Sequence, residues 1–565
     1  MRRIARWFPF LGWPRPNARL MRGEMVAGLT VSLIIVPQSV AYAALAGMPL
    51  VTGIYASFLP SLVAVLWSAS PRLSVGPTAL SSLLVMASLT GLADSGSTQW
   101  VALAVWLAII SGVMQLVLGI GRFGWILNLV SAPVLAGFTQ AATVLIVLSQ
   151  LPPLVGMQGG WTGFWDAPKL DAAACAFGLG SLALLVLGKR LAPRVPTVMI
   201  AVIGAGALSY LSGYSSAGGA VIGSLPSGLP SLYWPGALPW GTLGALVVPA
   251  MVITLVSFLE TASSAKVESQ LERKPWNDNQ DLIAQGLAKI ASGVTGSFPT
   301  SSSFSRSAIN LYAGAKTGWA TVVTVAMVLA VLLWLTPALY HVPSAVLAAV
   351  VVAAVGSLFK PAAFTRLWRV LPMEAATMGV TFMVTLLTAP RIYWGVLSGV
   401  MLSLITFLHQ RLHPRIIEVG MHPDGSLRDR HLWNLPPLSE NLYALRMDAA
   451  LDFAAASSFE RNVSDYLTKH PETRHVCLFA QSINRIDATG VEVFSALRMD
   501  LKMRQVALHI CGMKLPVEKV LVRAGQLQAD ALLQLYRTDT EAVEHFSALR
   551  AKQTQASATR PETNN

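Results

Sequence analysis

The sequence predicts a polytopic α-helical membrane protein that carries a small α/β domain at its C-terminal end. Three observations lead there. Long apolar runs recur from about residue 25 to residue 410. Charge density rises sharply from Arg411 onward, which marks a soluble domain. Two apolar segments are too short or too interrupted to span fully, and they hold equivalent places when the segments are split seven plus seven, the signature of an inverted repeat with a central binding site. Composition agrees: 54% of the 565 residues are hydrophobic, 12% are charged, and the mean hydropathy is +0.56.

Taken in order, residues 1–23 form a basic arm with six arginines and no acid before Glu24. Pro9, Pro14 and Pro16 interrupt it and no small-residue cleavage motif follows, so it is expected to be retained on the cytoplasmic side. Run length, glycine and proline breaks and flanking charge then place fourteen membrane segments within 24–411: 24–45, 52–67, 76–92, 99–119, 123–151, 172–190, 196–213, 241–266, 279–297, 303–314, 317–336, 343–359, 373–389 and 391–411. With both ends cytoplasmic, the inside loops carry Arg72, Arg122, Lys189, Arg190, Arg194, Arg273, Lys274, Lys316, Lys360, Arg366 and Arg369. The outside loops carry only Lys169 and Arg391, and 213–241 carries no charge, which follows the positive-inside rule. These loops account for the net charge of +13 without a nucleic-acid partner. Residues 412–434 read as a linker and 435–550 as a sheet domain, with strands at 443–447, 475–479 and 506–510 and helices at 458–469, 490–504 and 515–524. The polar tail 551–565 is expected to be disordered. Cys175, Cys477 and Cys511 are too few and too scattered to suggest a disulfide or metal site, and no cofactor is expected.

The polar stretch 297–318 organises the membrane part. It is rich in hydroxyls, contains Arg306 and lies between apolar runs. A short helix starting near Ser303 would point free N–H groups and the positive end of its dipole into a cavity, which suits an anion. The competing reading is a serine-rich surface loop. Arg306, in the first turn, has a guanidinium fork that matches oxyanions; it could instead be a fixed charge held by Glu260. In the first segment, Pro37 frees a carbonyl, while Gln38 and Tyr42 share a face and read either as a cavity wall or as helix packing. Glu260, among Ser257, Ser263 and Ser264, is an acid at membrane depth. It admits pairing with Arg306 or Lys289, cation binding, or proton carriage; Lys289 is a weaker candidate than Arg306 for the anion, and its competing reading is snorkelling to the interface. In the soluble domain, Asp487 or Thr489 caps a helix, and Thr489 is also a candidate phosphate acceptor.

With these residues assembled, the chain resembles the SulP sulfate permease family, known in animals as solute carrier family 26. The resemblance rests on Pro37-Gln38-Ser39-Val40-Ala41-Tyr42-Ala43, Thr52-Gly53-Ile54-Tyr55-Ala56-Ser57, Ser74-Val75-Gly76-Pro77-Thr78-Ala79, Glu260 to Lys266, and Gly296 to Asn310. The C-terminal part is similar to the family's STAS domain. The resemblance implies a core of segments 1–4 and 8–11 moving against a gate of segments 5–7 and 12–14, with the anion between the N-termini of half-helices 3 and 10. It implies substrate contacts from Gln38, Tyr42, Thr78, Ala79, Ser303, Phe304, Ser305 and Arg306, and a coupling-ion role, for a proton or sodium, for Glu260 with Ser264. It also implies a homodimer, while a cytoplasmic protein partner for the STAS domain is a possibility it leaves open. Asp487-Ala488-Thr489-Gly490 departs from the Asp-Ser-Ser-Gly of phosphorylated relatives by losing one hydroxyl.

The expected activity is that of a secondary active inorganic anion transporter, a proton-coupled sulfate symporter of a bacterial inner membrane, and not an enzyme. A sodium-coupled bicarbonate symporter or dicarboxylate carrier is the alternative within the family. An uncoupled exchanger or channel, and a signalling protein with the STAS domain as output, are the alternatives from other classes.

Overall fold

The protein is described here by a computed structural model covering residues 8–157, 170–191, 195–528 and 530–558. Lys169 and Arg194 of the loop charges, residues 1–7 of the arm and residues 559–565 of the tail lie outside the described residues. The chain divides into two units, Met1–Ser403 and Leu404–Asn565.

The first unit contains, in order, α1 (Ala18–Leu45), α2 (Leu50–Trp67), β1 (Val75–Gly76), α3 (Ala79–Leu89), α4 (Thr98–Ile120), α5 (Ala132–Leu154), α6 (Ala172–Leu191) and α7 (Thr197–Leu211). It continues with α8 (Trp240–Glu272), α9 (Asp278–Val294), β2 (Ser301–Ser302), α10 (Phe304–Tyr312), α11 (Trp319–Ala330), α12 (Ser344–Gly356), α13 (Ala362–Val370) and α14 (Pro372–Leu387), and the chain boundary between the units falls within α15 (Tyr393–Leu412). Among the described residues, eight helices are long and apolar enough to cross a membrane, counting α11 with its continuation to Leu339. α3, α7, α12 and α14 are apolar but shorter.

Side-chain caps start the helices where the sequence offers them. Asn17 accepts from Leu20 N (2.8 Å), Ser97 from Trp100 N (3.1 Å) and Asn277 from Gln280 N (3.2 Å). Glu24, fully buried, accepts from the N–H groups of Lys316, Thr317 and Ala320 and so closes the start of α11 with a carboxylate.

Glycines then set how closely helices approach. A Cβ on Gly112 of α4 would lie 2.8 Å from Gly286 O, and one on Gly286 of α9 would lie 2.7 Å from Gly112 O. The two backbones are therefore in contact, as small residues permit between membrane helices. α9 also packs along α2, α11 along α1 and α2, and α12 and α14 against α5.

α13 lies within 360–372, where the sequence predicts a loop. All of its residues are exposed or half-buried, and Phe364 and Trp368 lie with ring centroids 5.9 Å apart beside Arg366 and Arg369. Aromatic and basic residues on one short amphipathic helix match an element lying along a membrane surface.

The second unit is a six-stranded sheet in the order β4-β3-β5-β6-β7-β8. Its strands are β3 (Ile416–Met421), β4 (Leu427–Asp429), β5 (Leu442–Met447), β6 (His475–Phe479), β7 (Ala507–Cys511) and β8 (Leu533–Tyr536). β5 to β8 are parallel, and β3 is antiparallel to both β4 and β5. α16 (Ala456–Lys469), α17 (Ala488–Met503) and α18 (Leu515–Arg523) bring Phe459, Phe494 and Leu521 onto one face. α19 (Asp539–Ala558) covers Cys477, Phe479 and Cys511 on the other with Ala542 and Phe546.

Two expected boundaries are corrected. The linker 412–434 instead supplies β3 and β4. Its charges made it look like solvated chain, yet Arg415 pairs with Asp429 (2.9 Å), Arg430 with Glu418 and Arg428 with Asp424 across this hairpin. The tail expected from 551 is helical as far as Ala558, because alanine, lysine and glutamine at 551–556 propagate a helix already nucleated upstream.

A chain of polar side chains crosses the second face. His475 Nδ1 lies 3.1 Å from His509 Nε2, His509 Nδ1 lies 3.3 Å from Tyr536 Oη, and that hydroxyl donates to Gln534 Oε1 (2.7 Å). Burial, with the neighbouring His475 and His545, lowers the His509 imidazole from an ordinary 6.5 to about 4. The unfolded chain takes up a proton at His509 that the folded domain refuses, so this group removes stability as pH falls from about 6.5 to about 4. Hydrogen exchange of the Ala507–Cys511 amides in the full-length protein is expected to speed up on going from pH 7 to pH 5, apart from the intrinsic exchange rate. His509→Gln should flatten that change, and an equally steep change in the variant would remove His509 as its source.

Candidate functional site

The site is assembled from the two interrupted stretches. Residues 74–78 and 301–303 leave helical geometry and pair with each other: Val75 opposes Ser302 and Gly76 opposes Ser301 in an antiparallel ribbon. Ser303 N donates to Ser74 O (2.9 Å), and Ser74 N donates to Ser307 Oγ (3.0 Å). The ribbon meets the hydrogen-bonding needs of non-helical backbone at membrane depth. It also brings together the starts of α3 and α10, which leave it directly.

Both starts are capped by side chains. Thr78 Oγ1 accepts from Ser81 N (3.3 Å) and Ser303 Oγ from Arg306 N (3.5 Å). The amides of Ala79 and Leu80 on α3, and of Phe304 and Ser305 on α10, have no partner among the described residues. Four free N–H groups at two adjoining positive helix ends make a cradle whose chemistry suits an anion. Ala79 and Phe304 enter this cradle through their backbones; the Phe304 ring is exposed.

Arg306 is 1% exposed and held in three directions. Nε donates to Ser74 Oγ (3.3 Å), one terminal nitrogen to Gln38 Oε1 (3.3 Å) and the other to Pro77 O (2.9 Å). A guanidinium has about five N–H groups, so about two remain for a ligand. Among the described residues, Glu260 forms no ion pair with Arg306 or with Lys289, so neither expected pairing is seen. Glu260 is half-buried, and its Oε2 accepts from Thr78 Oγ1 (3.1 Å). The fields of Lys289 and Arg306 both reach it. Tyr42, one turn beyond Gln38, is buried within electrostatic reach of Arg306 and Glu260. Gln38, Arg306, the Pro77-Thr78 corner and Glu260 thus form one connected array from four elements.

Other expected residues behave differently. Ser264 Oγ donates to the backbone O of Glu260 (3.1 Å), so its bond is with its own helix and not with the carboxylate. Ser305 is exposed, with its hydroxyl 3.4 Å from that of Ser303. Lys289 does not snorkel: it is fully buried. Thr489 belongs to the second unit and is exposed; the cap of α17 is Asp487, whose carboxylate accepts from Gly490 N (2.9 Å) and Phe453 N (2.9 Å). Those bonds hold the Asp487 carboxyl below the usual range. The sequence reading passed over Ser74 and Ser307, whose only signal was their presence in the two interrupted stretches, and Gln115, an amide inside an apolar helix.

Helices on this scale, two half-helices starting from one ribbon, and a separate α/β unit define an anion transporter with a STAS domain, as comparison with known proteins shows. The chain belongs to the Sulfate permease family, whose profile matches residues 21–381, and the STAS domain profile matches 437–542. It is 30% identical over 555 residues to the chloroplastic sulfate transporter 4.1 of Arabidopsis thaliana, covering 92% of this chain and 80% of the relative. It is also 30% identical over 548 residues to a probable sulfate transporter of Mycobacterium tuberculosis, covering 94% and 96% of the two chains. The fold matches the overall structure of SLC26A9 with a TM-score of 0.86 at 20% identity, covering 98% of this chain and 94% of that one.

Proposed function

We propose that the protein is a proton-coupled sulfate symporter that works by alternating access. The observation that carries this reading is the hydrogen bond from Thr78, the cap of α3, to Glu260. It joins the anion cradle to a carboxylate that no ion pair neutralises among the described residues. An ionised Glu260 repels an incoming anion, whereas a protonated one does not, so anion and proton favour each other's binding. Sulfate is a dianion, and an inside-negative potential opposes its entry by about 2.3 kcal/mol per charge per 100 mV. Accumulation therefore needs a cation, and Glu260 is suited to carry a proton.

In this reading the protein sits in a bacterial inner membrane with the N-terminus and STAS domain cytoplasmic, in keeping with the basic inside loops. It works as a homodimer. The STAS domain is a regulatory platform for a cytoplasmic protein, with Thr489 accessible to a kinase.

The test is uptake into proteoliposomes of labelled sulfate, bicarbonate and succinate, each with and without sodium and with the outside buffered acid or neutral. Sulfate uptake that rises with outside acidity and ignores sodium is expected. Bicarbonate or succinate uptake that requires sodium, with sulfate inert, would replace the proposal by the sodium-coupled alternative.

A further inference from the structure

Lys289 is a protonatable amine that forms no ion pair among the described residues. It lies near the middle of α9, fully buried, and Nζ donates to Gln115 Oε1 (2.8 Å) and Ser257 Oγ (2.8 Å). Gln115 Nε2 in turn donates to Ser257 Oγ (3.0 Å) and Thr254 O (3.1 Å), so these partners are neutral and already saturated. The close approach of Gly112 and Gly286 explains the meeting, because Gln115 and Lys289 each lie three residues beyond those glycines and on the same helix faces. Of the elements packed against α9, α4 carries no ionisable side chain, α2 carries only Tyr55, and α8 carries Glu260, Lys266, Glu268 and Glu272. Ser257 is three residues before Glu260, one turn away on the same helix, and the Lys289 field reaches that carboxylate.

A polar bridge between helices would be met by an uncharged amide. A buried charge costs far more to desolvate than an amide. A protonatable side chain at a place where an amide would serve therefore calls for a use beyond packing. Arg306 is the other buried cation near Glu260.

Resting on the transport reading above, we infer that Lys289 is a built-in counter-cation of the anion site and sets its preference for divalent over monovalent anions. With Lys289 protonated, it and Arg306 supply two positive charges. A dianion bound with protonated Glu260 leaves the site neutral, whereas a monoanion leaves one uncompensated positive charge. The empty site with ionised Glu260 also carries one positive charge. One cycle with one proton and one sulfate therefore balances: a neutral loaded form moves inward and a singly positive empty form returns.

The test uses the full-length protein in liposomes and measures inhibition of labelled sulfate uptake by unlabelled sulfate and by nitrate. The ratio of the two inhibition constants is compared in wild type, Lys289→Met and Lys289→Arg. Lys289→Met is expected to shift that ratio toward nitrate by about tenfold, the scale of one unit charge acting at short range in a protein interior. Lys289→Arg is expected to keep the wild-type ratio. A helix-bridging role alone would change the amount of folded protein or the rate while leaving the ratio alone, and an unchanged ratio in Lys289→Met overturns the inference. If Lys289→Met cannot be purified folded, Lys289→Gln keeps a hydrogen-bonding head without the charge and is read against the same two outcomes. Wild-type protein that takes up no anion would overturn the transport reading itself, and that result is distinct from transport with an unaltered ratio.

Discussion

Arg306→Ala is expected to weaken sulfate binding about 100-fold in protein that is still folded, equivalent to roughly 2.8 kcal/mol. That is the scale of one or two hydrogen bonds to a charged group. Two effects combine. The N–H groups left for the anion vanish, and the bonds to Gln38, Ser74 and Pro77 that align the two half-helices vanish with them. Arg306→Lys is expected to recover only part of the loss, because an ammonium on a flexible stem cannot hold three partners in three directions and still offer a planar fork. Binding is measured by isothermal titration or ligand-induced thermal stabilisation, with size-exclusion as the check on folding. Wild-type affinity in folded Arg306→Ala would remove the residue from the binding site.

Glu260→Gln is expected to abolish concentrative uptake while preserving binding. Glutamine keeps the shape and can still accept from Thr78, so the cradle should survive. It cannot release or regain a proton. With the potential clamped at zero, one proton moving down two pH units supplies about 2.7 kcal/mol, enough for about 100-fold sulfate accumulation. Wild type should approach that limit, and the variant should stop at equal concentrations on both sides while still exchanging labelled for unlabelled sulfate. Accumulation of wild-type size by Glu260→Gln would assign the proton to another group. Loss of a sodium-dependent uptake in the variant would assign sodium to Glu260.

The membrane part is legible in the sequence because lipid imposes a simple rule: apolar runs must be long, and interruptions must be sheltered. The interruptions at 74–78 and 297–303 therefore point to the ribbon region, while the grouping of Gln38, Thr78, Ser303 and Arg306 in one site is what the family resemblance implies. The partners of Arg306 were not readable. One is the carbonyl of Pro77, and no residue type announces that its backbone oxygen will be used. Of the two readings of Lys289, snorkelling is removed by its burial; the sequence could not show this, because the helix it faces is set by two glycines far apart in the chain. In the second unit, β5, β6 and β7 stood out as strands, whereas the parallel edge strand β8 (Leu533–Tyr536) did not. The hairpin β3–β4 did not, since its stability comes from paired charges that look like a solvated linker.

The ribbon between β1 and β2 has a consequence for how the protein is made. Its partners are far apart in the chain, with Ser74 and Arg306 separated by 232 residues. At a synthesis rate of about 5–20 residues per second, the first strand waits roughly 10–50 s in the bilayer before the second leaves the ribosome. Throughout that interval the partners at 301–307 are missing, so of the backbone at 74–76 only Val75 O keeps its bond, from Ser61 Oγ (2.6 Å), and the start of α3 has no second half-helix beside it. The first seven segments are thus an incomplete insertion intermediate that needs shelter, from the translocation machinery or from water let in around it. Co-expressed halves divided between α7 and α8 should recover a folded transporter only when both are present. The half ending at α7, expressed alone, should be cleared by membrane proteases.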